Sequence, residues 1–80
     1  MVESSKRVTL RGEITTIDIF DSSEMCVIAR FPYVSTDDLD FEVAVRRARL
    51  FAKSYCSNTG FSLSQFCLID KRDKTVCTID

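Results

Sequence analysis

Between Ser35 and Asn58 the chain carries its one long periodic segment, and the rest of the fold has to be arranged around it. At about 100° per residue, Phe41, Ala44, Val45, Ala48, Phe51, Ala52, Tyr55 and Cys56 fall on one broad face, the i, i+3, i+4, i+7 spacing of an amphipathic helix. Ala44, Ala48 and Ala52 recur along the middle of that face, so a sheet can approach the helix axis there while Phe41, Phe51 and Tyr55 fill the flanks. Phe51 is read as a core ring whose removal costs about 3–5 kcal/mol. Ser35 or Thr36 is the expected N-cap, and Asn58 or Gly60 can take the positive φ that ends a helix. Asp37, Asp38, Asp40 and Glu42 at the start and Arg46, Arg47, Arg49 and Lys53 further on complement the helix dipole.

The flanking segments read as strands. From Lys6 to Phe20 the alternation changes phase: Val8, Leu10 and Ile14 are even-numbered, Ile17 and Ile19 odd. A bend at Gly12 or a bulge near Thr15 and Thr16 would reconcile them, and a bent long strand is the favoured reading. Asp21 to Glu24 is a polar break of hairpin length. Met25 to Phe31 is nearly all apolar, which suggests a central strand or one covered on both faces. Pro32 to Thr36 then leads to the helix, with Tyr33 and Val34 packing at its start. Phe61 to Ile69 and Lys74 to Ile79 make a last hairpin about the charged turn Asp70 to Asp73. Pairing Asp70 with Asp73 sets Phe66 against Cys77 and Leu68 against Thr75, with Cys67 and Cys77 on opposite faces.

The element order is therefore ββαββ. Two hairpins joined by a long helix give an α+β fold, a four-stranded, mainly antiparallel sheet with the helix packed across one face. Eighty residues make one small domain, 1–80, whose core supplies about 3–5 kcal/mol.

Composition narrows the function. Eleven basic against twelve acidic residues leave a net charge of −1, so no global field attracts nucleic acid or an anionic membrane. No apolar run is long enough to span a bilayer and Met1 to Lys6 is polar, so a cytoplasmic protein is expected. Cys26, Cys56, Cys67 and Cys77 form no C-x-x-C pair, and there is no histidine to complete a mixed zinc site. They are read as small buried hydrophobes in a reducing cell. No metal, cofactor or small-molecule substrate is indicated. Without histidine, a Gly-rich phosphate loop or a nucleophile motif, catalysis has no visible equipment either, and the expected protein is not an enzyme.

Two binding surfaces remain. Leu39, Val43 and Leu50 lie within about 40° of each other on the side of the helix opposite its core face, edged by Arg46 and Arg47. Together these five form a candidate contact surface for another protein or for a second copy in a homodimer. The alternative is an auxiliary nucleic-acid binder that uses Arg46, Arg49 and Lys53 on one helix flank, with Lys6, Arg7 and Arg11 and the cluster Lys71, Arg72 and Lys74 elsewhere. Small size and sparse catalytic equipment are also the profile of accessory proteins of phages and other mobile elements that bind host machinery.

Overall fold

A computed structural model describes residues 13–79. Strand β1 (Ile14–Asp21) forms a hairpin with β2 (Cys26–Val34). The long helix α1 (Asp38–Thr59) follows, then a single 3-10 turn at Leu63–Gln65 and the hairpin of β3 (Phe66–Asp70) with β4 (Thr75–Thr78). The sheet is antiparallel throughout, in the order β2-β1-β3-β4, so the two hairpins join through β1 and β3 and the fold is the expected α+β arrangement.

The alanine stripe sets the helix-to-sheet contact. Ala44, Ala48, Ala52 and Cys56 are buried, and beneath them lie Ile17, Ile19, Phe66 and Leu68 from the central strands, with Tyr33 and Ile79 closing the ends. Side chains without bulk beyond Cβ let the helix settle closely, and the large rings stand at its sides. Phe31 meets Phe51 edge-on at 5.7 Å, and Tyr55 meets Phe66 edge-on at 5.8 Å. Phe51 is thus a rim ring, 40% exposed, rather than a core ring.

The helix begins later than Ser35. Asp37 is the N-cap, its carboxylate accepting from the N–H groups of Leu39 and Asp40. A carboxylate does this better than the hydroxyls of Ser35 or Thr36 because it also answers the positive end of the dipole. Gly60 ends the helix at φ 83°, its N–H donating to the Cys56 carbonyl.

Three expectations about the sheet need correction. β2 is an edge strand, not a central one; it runs on through Pro32, whose missing N–H an edge tolerates. The irregularity lies opposite Ile19 and Phe20, where Ile28 is the extra residue, and not at Thr15 and Thr16, which pair regularly with Tyr33 and Pro32. Ile14 simply faces away from the helix and is exposed, which accounts for part of the phase change; Val8, Leu10 and Gly12 lie outside the described residues. In the last hairpin Leu68 pairs with Cys77 and Asp70 with Thr75, two residues from the expected register. The loop holds four residues, Lys71 to Lys74, because the Asp70 carboxylate accepts from the Arg72 N–H and Lys74 closes the turn at φ 62°. A shift of two preserves the faces, so Cys67 and Cys77 still point to opposite sides.

The cysteines are not uniformly buried: Cys56 is buried, Cys67 half-buried, and Cys26 and Cys77 are exposed because both lie on edge strands. Burial pushes the Cys56 and Cys67 thiols above their ordinary value. Thiol titration of the folded protein is expected to show two fast-reacting groups, Cys26 and Cys77, and two slow ones that react only on unfolding. Four fast thiols in the native state would place Cys56 outside the helix–sheet contact.

Candidate binding surface

With its stripe on the sheet, α1 presents the opposite side to solvent. Leu39 is 75%, Leu50 61% and Val43 36% exposed. Arg46 and Arg47 are exposed among them. This is where 3.6-residue periodicity puts them once the alanine face is taken by the sheet. Arg47 and Val43 lie on the crest, whereas Arg46 and Leu50 also belong to a groove beside it.

That groove arises because α1 packs mainly against β2 and β1 and reaches the second hairpin chiefly at the inner side of β3. A channel of about 660 Å³ is left between the helix flank and the second hairpin. Its floor is apolar, from Ile17 and Leu68, and one wall carries Arg46, Arg49 and Lys53, which periodicity had grouped on one flank. Arg72, Asp73, Thr75 and Cys77 form the opposite bank.

The charges in the groove are not equally free. Asp70 accepts from the buried Tyr33 hydroxyl at 2.5 Å and is bridged by Arg72 at 3.1 Å. Arg72 also donates to the Ser35 carbonyl, and its guanidinium lies over the rings of Tyr33 and Phe41. Asp73 accepts from the Thr75 N–H, and the Thr75 hydroxyl first, then that N–H bond, hold its carboxyl below the usual range. Arg46, Arg49 and Lys53 enter no ion pair among the described residues, and the Nε of Arg49 is buried without a partner.

Sequence reasoning missed three features. Asp18 is buried on the sheet face away from the helix, where it accepts from the Thr16 hydroxyl at 2.6 Å and pairs with Arg30 at 3.6 Å. Asp21 organises the first hairpin by accepting from the N–H groups of Ser23 and Glu24 and from the Gln65 amide. Burial raises its carboxyl, but the bonds from the Ser23 hydroxyl, the Gln65 amide and the two N–H groups together outweigh burial and hold it below its ordinary value. The third is the Tyr33–Asp70–Arg72 cluster, whose only sequence signal was an aspartate at a turn. Among the described residues no cluster of three or more Cys, Asp or Glu is placed to hold a metal ion, and no helix is long and apolar enough to cross a membrane. Lys6, Arg7 and Arg11 lie outside the described residues. Compared with known protein families, with curated proteins and with solved structures, the chain finds no match in any of the three.

Proposed function

We propose that this is a small non-enzymatic binding protein of the cytoplasm that acts through protein contacts on the solvent side of α1, with self-association as the first form of that contact. The observation that carries the reading is the exposure of Leu39, Val43 and Leu50 on a helix whose other face is already satisfied by the sheet. Aliphatic side chains in the middle and the guanidinium groups of Arg46 and Arg47 beside them match the composition of an interface core with a polar rim.

The double variant Val43→Glu, Leu50→Glu is expected to keep its helical circular dichroism. Its sedimentation mass should fall to one subunit, or it should lose the host protein that the wild type retrieves. A monomeric wild type that retrieves nothing would leave three ordinary exposed aliphatics and end the proposal.

A second reading, auxiliary nucleic-acid binding, is favoured by one observation, the run of Arg46, Arg49 and Lys53 along one groove wall with no ion pair among the described residues. Gel shifts across a salt series separate the two readings, because phosphate contacts give a steep loss of affinity with salt and apolar contacts do not.

A further inference from the structure

We infer that the groove and the outer edge of β4 together form a docking site for an extended acidic segment of another protein, which adds to the sheet as a fifth strand. This site shares Arg46 and Leu50 with the outer surface of α1, whereas Val43 takes no part in it.

The two edges of the sheet are treated differently. β2 carries the extra residue Ile28, the charged Arg30 and Pro32, devices that discourage pairing with a further strand. β4 has none of these three and is guarded only by its length of four residues. Thr75, Val76, Cys77 and Thr78 are uncharged, include no proline, pair regularly with β3 and are all exposed. In an antiparallel ladder every second residue of such a strand directs its N–H and C=O outward, where an extended peptide can bond them.

What the added strand should carry follows from its two faces. Alternate side chains would stand over the groove beside Thr75 and Cys77, towards the wall of Arg46, Arg49 and Lys53. The other acids of the groove are largely engaged: Asp70 by Tyr33 and Arg72, and Asp73 by Thr75, which leaves Glu42 as the remaining carboxylate. Carboxylates on the peptide would pair these cations and supply the acceptor that the buried Arg49 Nε lacks. The intervening side chains would lie on the other face next to the exposed Val76, where β-branched residues fit. A nucleic acid could answer the cations but not the backbone edge, and the conjunction of the two points to a peptide.

The test uses the full chain and a labelled, N-acetylated peptide of about seven residues alternating Glu and Val. Binding should shift the amide resonances of Thr75 to Thr78 and of Arg46 to Lys53. A Lys–Val peptide and the protein variant Arg46→Glu, Lys53→Glu should each weaken binding by about tenfold or more. N-methylation of alternate peptide amides, which leaves the protein untouched, should abolish it, while Val43→Glu should not alter it. Equal binding of the N-methylated peptide, an absence of shifts in β4, a β4-to-β4 dimer that the peptide cannot displace, or oligothymidylate binding at Arg46, Arg49 and Lys53 without peptide binding would each overturn the proposal. Because Leu50 and Arg46 line the groove and Val43 does not, the single variant Val43→Glu separates loss of the crest contact from loss of peptide binding.

Discussion

Ile19→Ala is expected to leave the domain largely unfolded. Ile19 is 0% exposed, on the strand that pairs with both β2 and β3, and it lies under the alanine stripe of α1. Deleting an aliphatic side chain from such a site costs about 2–5 kcal/mol, because neighbours held by pairing on both sides cannot collapse into the gap. A domain of this size has only about 3–5 kcal/mol in hand. Phe51→Ala removes more atoms and should cost less, about 1–2 kcal/mol, because much of that ring is already in water. Urea unfolding of the two variants measures the contrast. If Phe51→Ala proves the more damaging, the helix is rotated so that Phe51, rather than the alanine stripe, faces the sheet.

That contrast also marks how far the sequence could be read. Ala44, Ala48 and Ala52 announced both the helix and its buried face, since small residues at that spacing make a close approach possible wherever the partner sheet lies. The rank of Phe51 within that face could not be read locally. It depends on how far the sheet extends beneath the ring, and β2, the strand beneath it, is an edge. Pro32 was the sign of that edge, but a run as apolar as Met25 to Phe31 reads equally well as a central strand. The last hairpin shows the same limit in another form. Alternation gave the faces of Phe66, Leu68 and Cys77 correctly, whereas the register depended on a side chain, the Asp70 carboxylate, holding a four-residue loop closed at Lys74.

The candidate surface divides in the same way. Helical periodicity suffices to place Leu39, Val43 and Leu50 together and Arg46, Arg49 and Lys53 together, because both sets belong to one rigid element. The groove does not follow from periodicity. It exists because α1 lies mainly towards β1 and β2, a global packing outcome that brings Arg49 near Leu68 and Cys77 with no local signal in the intervening chain.

The Tyr33–Asp70–Arg72 cluster should have the second largest effect on stability. It ties the end of β2, the approach to α1 and the β3–β4 loop at one point, through the Tyr33 hydroxyl, the Arg72 N–H and guanidinium, and the Ser35 carbonyl. Asp70→Ala removes the common acceptor, strands a buried hydroxyl and releases the loop, for an expected loss of about 2–4 kcal/mol. Tyr33→Phe leaves Asp70 bridged to Arg72 and should cost about 1–2 kcal/mol. The double variant should lose less than the sum, since the hydroxyl has no partner once Asp70 is gone. The cluster also sets an alkaline limit. Burial first, and then the bond to Asp70, push the Tyr33 phenol well above its ordinary value of 10.0, so folding favours the protonated form. Its contribution is complete below pH 10.0 and is lost as pH rises above that value, where the unfolded chain ionises and the folded one resists. Urea midpoints measured from about pH 8 to pH 12 should therefore fall more steeply for the wild type than for Tyr33→Phe. Identical alkaline slopes would mean that the phenol is neither buried nor held by Asp70 in solution.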